Sequence, residues 1–547
     1  MTETGTSRWA SEGQVVAVSP NVGTVWATRT GRLSLTPTVR HILDSLSNPN
    51  LSQPPYSTRR HFGMPLSGFE PLHSTRTPIG QYPSANLKCL YALRNKKGHR
   101  IPRVTGSELN SDLLLEIFDW YRLYKTTTSN LDQIWNLGWN LERWWYKPIH
   151  VCRNWRHIVL SSPNRLNLHL VCTYGISVED MLLHSPPLPL IIYYPSLSDK
   201  ISAADEESII YALQQPDRVH RIKLTAPTAV LCNLFKAMDC EFPILERLHL
   251  DLSTKGRAGL GLPEKFLAPL LHHLTLYNIS LPIQSQLLRQ AENLTALQLW
   301  GLPVSPEFHP AHLVAQLSAM SRLEILTVRF YTAIPNRRFE SPAQPTPITL
   351  PSLKRLYFLG GSTYLEGILA RINAPFLSKF NVTYFNQLTF NLSRLLQVVH
   401  TSGTFSFRFT DIRFGEKTVS VVADKLPIRA GSYSFSVRVE CQPLGWQAAC
   451  AAQICHTLKP LLAGAERLTI GFHKDGSEPW KDEIDVEMWH GFLRTFAGVK
   501  SLQFTGALVG NLLRLLQLDE GVLPLKLLPK LPEAMPSAPN AQPTPTE

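Results

Sequence analysis

The stretch "LERLHLDLSTKGRAGLGLPEKFLAPLLHHLTL" (Leu245–Leu276) carries the pattern Leu-x-x-Leu-x-Leu at both of its ends, 26 residues apart. The pattern returns as LTALQL, LEILTV, LKRLYF and LSKFNV, which begin at Leu294, Leu323, Leu353 and Leu377. Successive copies are therefore separated by 26, 23, 29, 30 and 24 residues. A period of this length predicts stacked units of one strand and one helix, because a single unit cannot bury its own apolar face.

Looser copies extend the pattern in both directions. They are VHRIKL, AERLTI and VKSLQF, which begin at Val219, Ala465 and Val499. Residues 400–440 instead alternate apolar and polar side chains, as half-buried strands do, and we expect longer strands there. Regular repeats of this period carry Asn or Cys where Ser253 and Ile279 stand in the first two copies. We therefore predict an α/β fold in which residues 166–515 form an irregular solenoid.

The strands of such a solenoid have two different faces. Because side chains alternate along a strand, the fourth and sixth positions of each copy point into the core, and the third, fifth and seventh positions share the other face. That outer face mixes aromatic and charged side chains, which suits protein recognition, although an ordinary solvated face is the alternative. The predicted target-binding residues are Arg247, His249, Asp251, Tyr277, Trp300, Arg329 and Tyr357, and Gln298 and Arg355 share their face.

Two apolar segments precede the repeats. Residues 109–124, LNSDLLLEIFDWYRLY, place apolar side chains on one face of a helix that Asn110 or Ser111 can cap. The second segment, IHVCRNWRHIVLSSP, predicts one helix that starts at Pro148 and stops before Pro163. Between the segments lie Trp135, Trp139, Trp144 and Trp145. These tryptophans predict either a binding hot spot or the packed core of the intervening residues.

Together the two segments resemble the F-box motif, whose outline is Leu-Pro-x-Glu-Leu-Leu-x-x-Ile-Phe, a spacer and Val-Cys-x-x-Trp. The matching residues are Leu109, Leu113, Leu114, Ile117, Phe118, Val151, Cys152, Trp155, Arg156 and Ile158. Asn110 stands where Pro is usual, and Asp112 stands where Glu is usual. A long insertion, residues 125–145, separates the two halves.

With the downstream repeats, the chain resembles F-box proteins that carry leucine-rich repeats. The resemblance implies an all-α module, residues 104–165, that docks the Skp-type adaptor of a cullin–RING ubiquitin ligase. All the matched residues except Arg156 are candidates for that adaptor-binding surface, with Leu109 and Val151 favoured for contact and Trp155 for the core. A helical unit of this size rarely buries enough surface alone, which favours a partner. The alternative is that these helices simply pack on the repeats.

The positive charge of the chain is concentrated near its N-terminus. Residues 1–103 hold thirteen Lys and Arg against four Asp and Glu, a net charge of +9 out of +12 for the whole chain. Their Ser, Thr and Pro content predicts a largely disordered basic arm, and residues 516–547 predict a disordered Pro-rich tail. Because the remaining body is nearly neutral, we do not expect nucleic acid as a partner.

Signatures of catalysis are missing from the sequence. GxSxG, HExxH and CxxC do not occur, and the eight cysteines are widely dispersed. We therefore expect reduced thiols, no metal, no cofactor and no enzymatic activity. The sequence has no apolar run of about 18 residues and no apolar signal core in MTETGTSRWASEG, so we expect a cytoplasmic or nuclear protein without membrane contact.

Three functional hypotheses remain open from the sequence. The favoured one is a substrate-recognition subunit of a Skp–cullin–F-box ubiquitin ligase, which binds the adaptor through the F-box and an unknown target protein through the repeats. The second is a leucine-rich-repeat scaffold or adaptor that recruits no ligase. The third and weakest is nucleic-acid binding through the basic arm.

Overall fold

The computed structural model divides into two compact units, Met1–Leu168 and His169–Glu547. The structure describes residues 26–27, 33–34, 110–127, 144–195, 201–253, 260–281, 286–302, 309–331, 347–385, 390–427, 433–441, 444–473, 486–496 and 498–505. Nearly all of the predicted basic arm, most of the insertion and the Pro-rich tail therefore lie outside the described residues, as does Leu109.

The first unit is helical in its described part, apart from one antiparallel pair of two-residue strands. These strands are β1 (Trp26–Ala27) and β2 (Leu33–Ser34). The helices are α1 (Ser111–Thr127), α2 (Arg153–Ser161) and α3 (Pro163–Leu166), with 3-10 turns at Trp144–Tyr146 and Pro148–His150. As predicted, Asn110 caps α1: its side-chain oxygen accepts the backbone N–H of Asp112 at 3.3 Å.

The single helix predicted to start at Pro148 is wrong, because the chain leaves the helical conformation at Cys152. This residue is extended, with φ −158° and ψ 169°, and its sulfur accepts the backbone N–H of Trp155 at 3.5 Å. Cys152 is therefore the N-cap of a separate helix, α2. The predicted stop is correct for α2, but Pro163 also opens α3, where its missing N–H costs nothing.

The second unit is mixed α/β and is built on a single sheet of fourteen strands. Their order is β18-β17-β14-β15-β16-β13-β11-β9-β8-β7-β6-β5-β4-β3. The strands are β3 (Leu170–Cys172), β4 (Leu190–Tyr194), β5 (Val219–Ala226), β6 (Arg247–Leu252), β7 (His273–Tyr277), β8 (Ala296–Leu302), β9 (Ile325–Phe330), β11 (Arg355–Gly360), β13 (Lys379–Phe385), β14 (Phe409–Gly415), β15 (Thr418–Asp424), β16 (Phe435–Glu440), β17 (Arg467–His473) and β18 (Ser501–Thr505). A separate parallel pair joins β10 (Ile348–Thr349) to β12 (Ile372–Asn373).

Helices and turns connect these strands. The helices are α4 (Val178–His184), α5 (Ala203–Leu213), α6 (Thr228–Ala237), α7 (Gln286–Arg289), α8 (Pro310–Leu317), α9 (Ser362–Leu369), α10 (Ser393–Ser402), α11 (Leu444–Thr457), α12 (Lys459–Leu462) and α13 (Val486–Leu493), with 3-10 turns at Pro216–Arg218 and Arg494–Phe496. Their apolar side chains and those of one sheet face share one buried cluster. The core therefore lies on one side of the sheet, and the other side is here called the open face.

The sequence pattern fixes both the start and the pairing of the central strands. In each of the six copies, the strand begins at the third position of Leu-x-x-Leu-x-Leu. Equivalent positions pair in parallel register: Arg247 with His273, His273 with Ala296, and Ala296 with Ile325. Since the buried leucines are thereby stacked strand after strand, the open-face residues are stacked as well.

The pattern of neighbouring strands breaks after β13. The next strand in space is β16, while β14 and β15 form an antiparallel hairpin farther out. Within this sheet only β15 runs antiparallel to its neighbours, and β17 and β18 resume the parallel arrangement beside β14. The strands predicted within residues 400–440 are confirmed, although their alternation does not reveal this order.

Candidate interaction surfaces

The F-box-like residues of the helical unit are mostly buried. The Phe118 ring of α1 meets the Trp155 ring of α2 edge-on, with centroids 5.0 Å apart. Leu114, Ile117 and Ile158 are buried, and Leu113 is half-buried. These side chains form the contact between two helices and cannot meet a partner through their buried faces.

Val151 is the exception among these residues, since 52% of its side chain is exposed. It lies between the turn Pro148–His150 and the cap Cys152. The Arg156 Nε donates to the Ile149 backbone oxygen at 3.0 Å, which ties α2 back to the turn. The turn and the cap thus hold Val151 outward from a fixed backbone, while half-buried Ile149 lies beside it.

The two tryptophans of the insertion that the structure describes belong to the core. Trp144 and Trp145 are both buried, and the Trp144 ring lies 6.3 Å from the ring of Tyr121 in α1. For these two residues, core packing is therefore the correct interpretation rather than an exposed hot spot. Trp135 and Trp139 lie outside the described residues.

On the open face, four of the predicted target-binding residues form one continuous stack across β6 to β9. The rings of His249 and Tyr277 are 5.4 Å apart, and those of Tyr277 and Trp300 are 4.8 Å apart with an angle of 20° between them. The Arg329 guanidinium carbon lies 4.3 Å from the centroid of the Trp300 ring. We call these four residues the aromatic row. Such ring and cation contacts are each favourable by about 0.5–1.5 kcal/mol.

A bulge in β8 places Trp300 against Arg329. Leu299 pairs with Val328 and Leu302 with Phe330, so two residues of β8 oppose the single residue Arg329. The second of the two is Gly301, whose φ is +68° and whose added Cβ would lie 1.9 Å from the Asn278 side-chain oxygen. A larger residue cannot occupy this position without displacing Asn278.

Burial changes the titration of the charged groups beside the aromatic row. Burial, and to a smaller extent the charge of Lys223, lowers the pKa of His249 to about 4. Burial also raises the pKa of Asp251 and lowers that of Lys223, while each group partly offsets the shift of the other. His249 is therefore neutral at pH 7 and contributes a ring rather than a charge.

The remaining predicted residues lie on the same face but outside the row. Arg247 and Asp251 are half-buried in β6, and Tyr357 is half-buried in β11. The Lys379 Nζ lies 6.0 Å from the centroid of the Tyr357 ring. The sequence analysis missed Lys223, Lys379 and Arg438. Lys223 and Lys379 occupy the fifth and third positions of VHRIKL and LSKFNV, so the same rule would have found both, whereas Arg438 lies in a strand without the pattern.

The described residues offer little for catalysis. They contain no group of three or more His, Cys, Asp or Glu side chains placed to hold a metal ion. A small apolar crevice of about 150 Å³ is lined by Phe414, Ala448, Ala451, Trp489 and Phe492, none of which can act as an acid, base or nucleophile. Within the same part of the chain, no helix is long and apolar enough to cross a membrane.

Comparison with known proteins adds no assignment: no protein-family model matches the sequence, and no curated protein matches it. The candidate surfaces therefore rest on the geometry described above and on the sequence pattern.

Proposed function

We propose that this chain is the substrate-recognition subunit of a Skp–cullin–F-box ubiquitin ligase. In this proposal residues 104–165 are an F-box module that docks the Skp-type adaptor, and residues 166–515 are an irregular leucine-rich-repeat solenoid. The open face of the sheet binds the target protein. The chain performs no covalent chemistry, and it acts by raising the effective concentration of the target near the ubiquitin-conjugating enzyme.

The exposure of Val151 is the observation that carries this proposal. The other described F-box-like aliphatic and aromatic side chains are buried or half-buried, whereas Val151 is held in water by the turn and the cap on either side of it. Covering a fully exposed Val side chain gains about 1.5 kcal/mol or more, so a partner that covers it is stabilised. Its position in the Val-Cys-x-x-Trp pattern makes the Skp-type adaptor the partner that we expect.

Co-purification with the adaptor tests the proposal. We expect the full-length chain and a Skp-type adaptor to form a 1:1 complex in size-exclusion chromatography. Val151→Asp places a charge in the covered surface and should weaken the complex by at least about tenfold. Leu183→Asp is the matched control, since Leu183 is 78% exposed on α4 of the other unit and should leave adaptor binding unchanged.

Two results would contradict the proposal: the absence of a complex with the native chain, and equal binding by the Val151→Asp and Leu183→Asp chains. Circular dichroism of each variant before the binding assay separates lost contact from lost folding.

A scaffold that recruits no ligase is the second candidate. It is favoured by the fact that the aromatic row lies entirely within the second unit, so target binding needs no residue of the helical unit. Reconstituted ubiquitination separates the candidates. A ligase subunit directs ubiquitin onto the bound target, whereas a scaffold binds the target and leaves it unmodified.

A further inference from the structure

Beside the aromatic row, the open face carries a group of four cationic side chains, Arg329, Arg355, Lys379 and Arg438. They belong to the neighbouring strands β9, β11, β13 and β16. Arg355 and Arg438 are exposed, and Arg329 and Lys379 are half-buried. We call this group the cationic frame. Its nearest acidic neighbour on β16 is Glu440, whose pKa is raised by burial and lowered to a smaller extent by Arg438 and Arg329.

The strand register brings like charges together in this frame. Arg355 pairs directly with Lys379 across β11 and β13. Like charges in that position repel each other and destabilise the sheet. No acidic side chain among the described residues forms an ion pair with Arg355, whereas its neighbour Lys354, at the edge of the same strand, lies 2.7 Å from Glu324. The pair therefore lowers stability in the free chain, and a bound anion would relieve the repulsion.

The interior of the frame is polar rather than apolar. Tyr357 pairs with Asn381, and Asn381 pairs with Ser436, so three hydrogen-bonding side chains cross the frame from β11 to β16. The Asn381 side-chain oxygen is buried and has no hydrogen-bond partner among the described residues. Buried amides are normally satisfied, so this group can accept a hydrogen bond from a bound chain.

The dimensions of the frame fit an extended peptide. Arg355 and Lys379 lie in one row, and Arg438 pairs with Thr383, four residues farther along β13 from Lys379. Four residues of strand span about 13 Å, and successive side chains on one face are about 6.6 Å apart. An extended segment with acidic side chains at every second position has the same spacing on the side that faces the sheet.

The arrangement of the rings argues against single-stranded nucleic acid as the occupant. Such binding needs aromatic faces on which bases can stack. Tyr277 and Trp300 are stacked on each other, and the Trp300 ring is also covered by Arg329. The ring edges rather than the ring faces are therefore available to a ligand, which leaves charge as the main source of recognition.

From the charge, the polar interior and the spacing, we propose that the open face binds an extended acidic segment of a partner protein, with the cationic frame holding its carboxylates. This inference deepens the proposed function by giving the chemical class of the target, and it rests on that proposal only for the fate of the bound segment. Binding of the acidic segment itself does not involve the adaptor.

Fluorescence anisotropy of the full-length chain with a labelled (Glu-Ser)6 peptide tests the inference. Removing either pair of cations, with Arg329→Gln and Arg438→Gln or with Arg355→Gln and Lys379→Gln, should weaken binding by about tenfold. The matched control changes net charge equally on the helical side of the sheet unit: Lys236→Gln on α6 with Arg289→Gln on α7. This control should bind within twofold of the native chain, and (Gln-Ser)6 should not bind. Added NaCl should weaken the native complex.

Photocrosslinking locates the peptide independently, because residues 1–103 carry a charge of +9 that can also attract acidic probes. A benzoylphenylalanine at the centre of the peptide should crosslink to β9, β11, β13 or β16. The inference is overturned if all crosslinks fall within residues 1–103, if the frame variants bind as the control does, or if a dT12 oligonucleotide binds more tightly than the peptide. Any of these results leaves adaptor binding, and hence the proposed function, to its own test.

Discussion

In the helical unit the aromatic side chains are buried and an aliphatic side chain is exposed, whereas on the open face of the sheet the aromatic and charged side chains are accessible and the aliphatic ones are buried. Phe118 and Trp155 meet inside the first unit while Val151 faces water. On β6 to β9, Tyr277 and Trp300 are stacked across the strands above a layer of buried leucines.

The difference teaches that the two surfaces recognise partners by different physics. An exposed aliphatic side chain on a fixed turn gains free energy when it leaves water, whatever the salt concentration. A row of stacked rings beside unpaired cations gains from charge and hydrogen bonding, so its binding falls as salt rises. One chain can therefore hold two partners whose affinities respond to different conditions.

The largest expected effect lies in the core of the helical unit. Trp155→Ala removes the ring that packs against Phe118 and should destabilise the first unit by about 3–5 kcal/mol. Urea unfolding monitored by circular dichroism should show an earlier transition for this unit. Trp446→Ala is the control, because that ring is 45% exposed on α11. If both variants unfold as the native chain does, the two helices do not form a core through this ring.

Adjacent residues of β6 test the two faces of the sheet directly. Leu250 is fully buried, so Leu250→Ala should cost about 2–5 kcal/mol of unfolding free energy. His249→Ala removes one ring of the aromatic row and should cost only about 1 kcal/mol. Urea titration of both variants measures the difference. Equal costs would mean that the open face is packed as tightly as the core.

Mild acid should weaken the sheet unit more than the helical unit. The pKa of His249 is about 4 in the folded chain and near 6.5 when unfolded, so below pH 6.5 the unfolded chain binds the extra proton first. Stability is complete above pH 6.5 and should fall by about 1–2 kcal/mol on lowering the pH from 7 to 5.

His249→Gln should flatten this pH dependence in part, because His273 on β7 also has a pKa lowered to about 4, mainly by burial. His184→Gln, which changes an exposed histidine on α4, is the control and should retain the native slope. Urea unfolding at pH 7, 6 and 5 provides the measurement. An unchanged slope for His249→Gln would contradict the burial of this ring.

The smallest expected effect concerns the cap of α2. Cys152→Ala removes the acceptor for the Trp155 backbone N–H and should cost about 0.5–1 kcal/mol, whereas Cys152→Ser supplies a better N-cap and should preserve or slightly increase stability. Thermal unfolding of both variants measures this. A loss with serine as large as that with alanine would show that the sulfur acts through packing and not through capping.

Much of the sheet could be predicted from the sequence because each copy of the pattern is a local signal. Every copy contains its own strand, and equal spacing within the copies imposes the register. The aromatic row followed from the same alternation, although the stacking of Tyr277 on Trp300 depends on neighbouring strands and cannot be deduced from either strand alone.

Two features could not be predicted, for different physical reasons. The place of β16 beside β13 depends on long-range pairing, and alternating sequences such as those of β14 and β15 are compatible with several neighbours. The break at Cys152 is invisible to periodicity, since the apolar spacing continues through the turn while only the backbone changes conformation.

Hydrogen–deuterium exchange of the full-length chain, alone and with a Skp-type adaptor, tests the central claim most directly. Docking through Val151 predicts slower exchange in peptides covering residues 148–161, with no change in β5 to β13. Unchanged exchange in residues 148–161 under conditions in which the adaptor is in excess, or protection confined to the sheet, would contradict the claim.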